Sequence, residues 1–352
     1  MKLGEWFEER FGWRGWVQAA HDELAKPIPA RVNWSFTLGT AAGFLFSVLV
    51  ATGVLLALNY SASLSTGHAS VRDITHDQAG GWLLRSLHFW AANLLVLALV
   101  AHALRVFAHG AYRRPREITW ILGGLMLLTA LALCFTGDFL PLEDVSYWAT
   151  TVVTGSLEDV PTLARAFRGG DAISDATVSR FHTAHVWILP ATMLALVLLH
   201  LRLVRRLGIS PRSPDEPTVP FRSHLHREIL SLTAVAALLV TIAVLLPREV
   251  GPKFDDSRTP ADVRPNWYFL PMYQTLKYFP RLPGLVLINL GALLLLAVPF
   301  LDRGWTRRRW FVFAGLAAFA LVCLLGLLGY VSDRAFTLFG SEIRFDVYGI
   351  PE

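Results

Sequence analysis

Long apolar segments alternate with polar connections along almost the whole chain. Seven of these segments are close to the roughly 20 residues that a helix needs to cross a hydrocarbon layer of about 30 Å. They are numbered here as segments 1 to 7 and lie at residues 33–58, 81–106, 117–137, 183–206, 227–247, 284–301 and 309–331. The pattern predicts an all-α integral membrane bundle with seven transmembrane helices.

The first 32 residues follow a different pattern, in which aromatic residues stand among charged ones. The aromatic residues are Trp6, Phe7, Phe11, Trp13 and Trp16. An apolar aromatic face opposite a charged face is typical of a helix that lies in the membrane interface. We therefore expect residues 1–32 to form an amphipathic interfacial helix.

The overall composition also indicates a membrane protein. Of the 352 residues, 54% are hydrophobic and 17% are charged, whereas soluble domains carry about 25% charged residues. The two cysteines, Cys134 and Cys323, lie in apolar segments, and the sequence contains no CxxC. Motifs for iron–sulfur clusters, zinc and covalent c-type haem are therefore absent from the sequence.

Charged residues are concentrated in the connections, and their sign alternates. The N-terminal segment carries Lys26 and Arg31, and basic residues dominate the 2–3, 4–5 and 6–7 connections: Arg113, Arg114, Arg116, Arg205, Arg206, Arg212, Arg222, Arg303, Arg307, Arg308 and Arg309. The other three connections are richer in acids: Asp73, Asp77, Glu143, Asp144, Glu158, Asp159, Asp171, Asp175, Glu249, Asp255, Asp256 and Asp262. Because cytoplasmic loops are enriched in Lys and Arg, we expect a cytoplasmic N-terminus and a periplasmic C-terminus in a bacterial inner membrane. The basic residues share no continuous face, so the net charge of +5 does not indicate nucleic-acid binding.

Two connections are long enough to have a function of their own. The 3–4 and 5–6 connections each exceed thirty residues, and loops of that length in a compact protein are usually functional. A Pro-rich stretch at residues 211–220 separates the first four segments from the last three. We predict a four-helix unit at residues 33–210 and a three-helix unit at residues 211–352.

Four histidines lie within segments 2 and 4, where an ionisable residue is costly and is a functional candidate by default. His88 and His102 are fourteen residues apart, and His185 and His200 are fifteen apart. At about 100° and 1.5 Å per residue, both members of each pair lie near one helix face, roughly 21–23 Å apart. Imidazole is an axial ligand of haem iron, and two imidazoles leave no position for oxygen. The spacing predicts a four-helix core that holds two electron-transferring haems b, one between His88 and His185 and one between His102 and His200.

Neighbouring residues are consistent with two haems. Arg85 and Arg105 lie three residues from a histidine, on the side of the nearer membrane surface, where they can meet haem propionates. Glycines in segments 1 and 3 repeat the fourteen-residue interval: Gly39 and Gly53, Gly123 and Gly137. A flat haem needs neighbouring helices that lack side chains at its height. The simpler alternatives are that the two arginines extend their charged ends to the membrane surface, and that the glycines only allow close helix packing.

The sequence that contains these residues resembles cytochrome b of the cytochrome bc complexes, which are the quinol:cytochrome c and plastoquinol:plastocyanin oxidoreductases. The similarity covers almost the whole chain, through GWLLRSLHFW, RRPREITW, RFHTAHVWILP, PNWYFLPMY and AVPFLDR in family order. The fifteen-residue spacing in segment 4, the opening WFEER and the absence of an eighth segment are most similar to a thylakoid-type b6 protein fused to its subunit IV.

The resemblance implies a Q-cycle with proton translocation. A quinol is oxidised at an outer site beside His88 and His185, formed by the two long connections. One electron passes to a Rieske iron–sulfur protein and a c-type cytochrome or similar acceptor, and the other crosses to a quinone at an inner site. At that inner site Arg205 and the pair Arg227–Glu228 occupy charged family positions, where they deliver protons or are ordinary helix-end charges. The family also implies a homodimer in membrane lipid.

The outer site departs from the family pattern in two places. The family motif PEWY is here Pro265–Asn266–Trp267–Tyr268, so an amide, which hydrogen-bonds but is not a base, replaces the proton-accepting glutamate. Where relatives read roughly GYVLPWGQ, this chain reads GDFLPLED and gains Asp138, Glu143 and Asp144. We expect Asp138 to accept the quinol proton, with Glu143 or Asp144 as an exit relay. The simpler alternative is that these acids cap a surface loop.

Three further expectations concern haem content and function class. Thylakoid relatives tether an additional haem through a cysteine, and Thr37 stands at that position, so no covalent haem is predicted. The altered outer site also fits a two-haem membrane anchor that does not bifurcate electrons. A transporter whose histidines relay protons, without haem, is the third function left open.

Overall fold

The computed structural model describes residues 3–157, 160–209, 215–260, 263–302, 308–338 and 341–351. Several residues singled out above lie outside the described residues: Glu158, Asp159, Arg212, Asp262, Arg303 and Arg307, together with the predicted domain boundary at 210–211.

The prediction of seven membrane helices is confirmed within the described residues. These helices are α3 (Leu38–Ala57), α5 (Gly81–His109), α6 (Glu117–Phe139), a fourth helix (Asp175–Leu207), α11 (Arg222–Leu245), α13 (Arg281–Leu301) and α14 (Arg308–Val331). The fourth helix consists of α9 (Asp175–Thr183), a π-helical turn (Ala184–Ile188) and α10 (Leu189–Leu207). Short helices are α1 (Leu3–Phe11), α2 (Trp13–Ala25), α4 (Gly67–His76), α7 (Asp144–Gly155), α8 (Pro161–Arg168) and α12 (Leu270–Tyr278), with 3-10 turns at Trp34–Phe36 and Trp267–Phe269. The strands are β1 (Pro27–Pro29), β2 (Thr218–Pro220), β3 (Ala335–Leu338) and β4 (Ser341–Arg344).

Two membrane helices begin earlier than the apolar pattern predicts because their first turns are polar. The fourth helix begins at Asp175 rather than near 183, where Ser174 and Thr177 form a reciprocal capping box that satisfies two backbone N–H groups. Helix α11 begins at Arg222 rather than near 227. Hydropathy detects only the apolar part of a helix, so it misses turns that extend beyond that part.

The N-terminal region forms two helices instead of one. Gly12 separates α1 from α2 with a left-handed backbone (φ 57°), a conformation that glycine adopts without steric cost. The residues of α1 and α2 are not buried, and the side chain of Trp16 is 77% exposed. The aromatic residues of this region are therefore available to a membrane interface.

The core of the bundle lies where α3, α5, α6 and α10 meet. Leu45, Ala91, Ala130 and Met193 are buried in one apolar cluster, which Leu239 of α11 completes. Alanine at two of these positions lets the helix backbones approach closely, as small residues do in membrane bundles. This close approach brings the faces of α5 and α10 that carry histidines toward each other.

The basic connections share one end of the bundle, called the inner end here. Arg31 before α3 pairs with Glu216 in the 4–5 connection at 2.6 Å. Arg113 in the 2–3 connection pairs with Asp302 after α13 at 2.7 Å. Strand β1 also pairs antiparallel with β2, so the residues before α3 are joined to those before α11.

The two long connections meet at the opposite end, called the outer end. The backbone N–H of Asp144 donates to Pro252 O at 2.9 Å, and the rings of Tyr147 and Phe254 stack with centroids 4.2 Å apart. Between α6 and α7 the fully buried Leu142 has a left-handed backbone (φ 52°), which is strained for this residue type. Such strain is common at functional sites, and here it marks the turn that leads to Glu143.

Candidate haem and quinol site

The outer histidines face each other across the bundle. The ring centroids of His88 and His185 are 6.2 Å apart, with 69° between the ring planes. An imidazole nitrogen binds a transition metal at about 2 Å, so two imidazoles on opposite sides of one metal have ring centres about 6 Å apart. The outer pair has a separation that fits two axial ligands of one iron.

A glycine of a neighbouring helix lies against each of the four rings. A Cβ added at Gly39, Gly53, Gly123 or Gly137 would lie 3.2, 3.2, 3.7 or 2.4 Å from the Cε1 atom of His102, His88, His200 or His185, respectively. At Gly137 a larger residue would overlap the ring outright. The absence of a side chain at these four heights leaves room for the rings and for a flat group between them, so the residues fit two haems.

Hydrogen bonds fix the orientation of both outer rings. His185 Nδ1 lies 3.0 Å from Leu133 O, so this nitrogen carries the proton. Thr52 Oγ1 donates to Val48 O at 2.8 Å and lies 2.9 Å from His88 Nδ1, from which it therefore accepts. A histidine that donates from one nitrogen presents the other to a metal in a fixed orientation. In both outer histidines Nε2 is the nitrogen left for iron.

The inner level has fewer protein partners. His102 Nδ1 and Arg105 Nε are buried and have no hydrogen-bond partner in the described part of the chain. The Arg105 guanidinium carbon lies 3.4 Å from the centre of the Phe36 ring. A buried donor without an acceptor is rare, and haem carboxylates would supply acceptors for Arg105.

The π-helical turn accounts for the unequal histidine spacings. His185 lies in this turn, which holds about one residue more than an α-helical turn. Fifteen residues that include most of a π-turn therefore advance and rotate about as much as fourteen α-helical residues. The histidines of the fourth helix consequently stay in register with His88 and His102.

A cavity of about 270 Å³ extends from the outer histidines to the two segments that depart from the family pattern. Its lining includes Gly53, Arg85, His88, Gly137, Asp138, His185, Arg248, Asn266 and Tyr268. The candidate outer haem position and the candidate quinol pocket are thus one continuous space. A ligand in the pocket would lie next to the haem edge.

The two departures from the family pattern contact each other. Asn266 Nδ2 donates to Asp138 Oδ1 at 3.0 Å. The carboxylate absent from position 266 is therefore present on the facing wall, at the end of α6. Burial raises the pKa of the Tyr268 phenol, and the neighbouring Cys134 and Asp138 raise it further. Tyr268 stays neutral and can serve as a hydrogen-bond donor in the cavity.

Both oxygens of Glu143 accept from arginines. Arg85 Nη2 lies 2.8 Å from Glu143 Oε1, and Arg248 Nη2 lies 2.6 Å from Oε2. Asp144 begins α7, and its Oδ1 accepts from the backbone N–H of Asp255 at 3.4 Å. Sequence reasoning missed Arg248, which directly follows segment 5.

The predicted inner-site charges are not brought together. Arg205 is exposed on the last turn of α10. Glu228 Oε1 lies 3.3 Å from Nε2 of the buried His224, and no hydrogen bond or ion pair joins Glu228 to Arg205, both of which are described. Sequence reasoning also missed His224, which lies one helical turn before Glu228.

Thr37 is occupied by contacts within the protein. Its side chain is buried, and its hydroxyl lies 2.8 Å from Trp34 O and 2.8 Å from Ser231 Oγ. These bonds tie the start of α3 to α11. A threonine offers no sulfur for a thioether bond, whatever occupies the space beside it.

Two family models match the chain. "Cytochrome b/b6/petB" matches residues 23–208, and "Cytochrome b(C-terminal)/b6/petD" matches residues 253–345. The first alone covers more than half of the chain.

Individual relatives that match the chain are likewise cytochromes b or b6. The cytochrome b of Rhodospirillum rubrum is 31% identical over 351 residues, which is 94% of this chain and 85% of the relative. The cytochrome b of Cereibacter sphaeroides is 31% identical over 78% of this chain and 67% of the relative. The cytochrome b6 of Tupiella akineta is 36% identical over 59% of this chain and 98% of the relative. A chain of the solved structure "Hyperthermophilic respiratory Complex III" superposes with a TM-score of 0.83 and 29% identity, over 93% of this chain and 91% of that chain.

Proposed function

The chain belongs to the cytochrome b/b6 family and is a haem b-binding cytochrome b subunit of a bc- or b6f-type electron-transfer complex; on this premise we propose that it holds two haems b and oxidises quinol in a Q-cycle. The observation that carries the proposal is the set of four histidines, each against a glycine of the neighbouring helix. The haem-free transporter is disfavoured, because proton relay requires no such glycines.

Each haem is held by a pair of histidines and by an arginine near its edge. His88 with His185 and His102 with His200 would hold the two haems, and Arg85 and Arg105 would meet their propionates. The bound haems would supply a path for one electron from the outer to the inner site. With two histidines at each iron, no position would be left for oxygen.

At the outer site Asp138 accepts one of the two protons that a quinol loses on oxidation. The Asn266 amide holds Oδ1 of Asp138 at 3.0 Å and leaves Oδ2 to accept from the substrate. The neutral Tyr268 phenol, which also lines the cavity, donates a hydrogen bond to a quinol oxygen. A base must first lie within hydrogen-bond reach of its proton, and the position of Asp138 in the lining of the shared cavity supports this role.

The proton leaves through Asp144 rather than Glu143. Both oxygens of Glu143 are already bound by guanidinium groups. Asp144 lies next to it at the start of α7 and is partly exposed, and its Oδ1 accepts one long hydrogen bond, from the backbone N–H of Asp255. Asp144 is therefore the carboxylate free to exchange a proton with water.

At the inner site Glu228 and Arg205 serve the quinone in different ways. Glu228 is partly buried beside His224 and supplies protons to the quinone. Arg205 is exposed and contributes a positive charge at the same end of the bundle. The partners are a Rieske iron–sulfur protein and a c-type cytochrome or similar acceptor, in a homodimeric complex. The inner end faces the cytoplasm of a bacterial inner membrane, with the N-terminus on that side, and no covalent haem is attached at Thr37.

The test is a reduced-minus-oxidised optical spectrum of the purified native complex, together with its subunit composition. We expect two b-type haems per chain, one lost in His88→Ala and the other lost in His102→Ala, and a Rieske subunit that co-purifies. A spectrum without b-type bands would support the transporter and overturn the proposal. Two haems without a Rieske partner would instead support the non-bifurcating anchor.

A further inference from the structure

Three charged side chains form a compact group at the outer end of the bundle. Glu143 lies between Arg85 and Arg248, with N–O distances of 2.8 and 2.6 Å. The exposed fractions of the side chains are 9% for Arg85, 8% for Glu143 and 36% for Arg248. Two guanidinium groups and one carboxylate give this arginine–glutamate group a net charge of +1.

The group lies one helical turn from the proposed ligand His88. Arg85 precedes His88 by three residues on α5, which is about 4.5 Å along the helix axis. Arg85 and Arg248 line the same cavity as His88 and Asp138. The Arg248 guanidinium carbon lies 5.1 Å from the centre of the ring of Phe89, the residue after His88.

The position of Arg248 is fixed by its backbone as well as by its side chain. Its N–H donates to Ser86 Oγ at 2.9 Å, and its carbonyl accepts from Arg85 Nη1 at 2.6 Å. Two residues earlier, Leu246 O accepts from Trp90 Nε1 at 2.8 Å. The chain that leaves α11 is thus attached along α5 over about one and a half turns, so Arg248 is held beside the outer haem position.

We propose that Arg248 and Glu143 set the reduction potential of the outer haem, with Arg248 as an added cation and Glu143 as its counter-charge. A haem gains a negative charge on reduction, and a nearby cation stabilises the reduced form. Net charge, hydrogen bonding and solvent exposure are the means by which proteins tune such potentials. Water screens the charges of Arg85 and Glu143 only weakly because both side chains are buried, and it screens Arg248, which is 36% exposed, more strongly.

This inference rests on the proposed function, since it requires an outer haem between His88 and His185. Arg248 and Glu143 act on electron transfer through the reduction potential of the outer haem. A net charge of +1 makes the outer haem a better acceptor for the electron of the quinol than a neutral group would. Asp138 and Glu249 lie nearby and are unchanged in every variant below.

The test is a potentiometric titration of both haems in the purified complex, with the outer haem identified as the one lost in His88→Ala. Arg248→Gln lowers the charge of the group to zero and should lower the midpoint potential of the outer haem. Glu143→Gln raises the charge to +2 and should raise that midpoint. The double variant restores +1 and should return the midpoint toward the wild-type value.

Two controls separate charge from structural damage. Arg248→Lys keeps the charge and should keep the potential, and the inner haem should not shift in any variant because it lies roughly 21 Å farther along the helix. An unchanged outer midpoint in Arg248→Gln, equal shifts of both haems, or a shift in Arg248→Lys as large as in Arg248→Gln would each overturn the inference. A wild-type complex without two b-type haems contradicts the proposed function instead, and it does so before any variant is made.

Discussion

The two ends of the histidine bundle are built from similar ligands but have different surroundings. At the outer end, ring nitrogens are hydrogen-bonded, an arginine–glutamate group lies one turn away, and the two long connections cover the cavity. At the inner end, His102 Nδ1 and Arg105 Nε have no partner among the described residues. Contacts within the protein hold the outer rings, whereas at the inner level the described residues leave these buried nitrogens without a partner.

This difference follows from what each end has to do in the proposed Q-cycle. At the outer end two protons and two electrons leave one quinol, and the electrons take separate routes, so the positions of the proton acceptor and of the outer haem must be fixed together. At the inner end the electron and the protons converge on one quinone. Hydrogen bonds to His88 and His185 and the two ion pairs of Glu143 fix positions at the outer end.

The largest expected effect is on proton acceptance at the outer end. Asp138→Asn removes the carboxylate that accepts from Asn266, and general-base catalysis typically contributes 10²–10⁴-fold, so quinol oxidation should fall about 100-fold or more. The measurement is steady-state turnover with a soluble acceptor. Asp138→Glu, which keeps the carboxylate, should retain much more activity. Wild-type turnover in Asp138→Asn, with both haems bound, would refute the role of Asp138.

A matched pair of glycine variants should distinguish the two levels on the same helix. A Cβ at Gly137 would lie 2.4 Å from His185 Cε1, whereas one at Gly123 would lie 3.7 Å from His200 Cε1. Overpacking a tight site costs about 1–3 kcal/mol, so Gly137→Ala should weaken retention of the outer haem and Gly123→Ala should be nearly neutral. Haem content after mild detergent exposure is the readout. Equal haem loss in the two variants would show that the contact at Gly137 is unimportant.

The smallest expected effect concerns the hydroxyl that orients His88. Thr52→Val removes the acceptor 2.9 Å from His88 Nδ1, and one hydrogen bond contributes about 1 kcal/mol. We expect slightly weaker binding of the outer haem, no change at the inner haem, and near-complete rescue in Thr52→Ser. Haem retention at graded denaturant concentrations measures this. A larger effect on the inner haem than on the outer haem would contradict the assignment of levels.

Repeating patterns in the sequence predicted the membrane helices, whereas contacts between residues distant in sequence became known only from the structure. Apolar segments predicted all seven membrane helices because lipid imposes a fixed length on them. The contact of Asp138 with Asn266 joins residues 128 positions apart, and that of Glu143 with Arg248 joins residues 105 apart. No local pattern encodes either pair. The π-helical turn at His185 could not be predicted either. The fifteen-residue spacing shows one residue more than the fourteen between His88 and His102, but it does not show where in the helix the additional residue lies.

The pairing of β1 with β2 bears on how the gene can be organised. Ile28 and Val219 are opposite each other in this pairing, and flanking backbone bonds join Ala30 to Pro217 and Phe221 to Lys26. These contacts hold the four-helix and three-helix parts together across the sequence interval that separates them. A nick between Gly208 and Pro217 would therefore leave both parts attached. Fission into two genes, or fusion of two into one, would change the number of polypeptides that the cell must assemble while preserving the bundle.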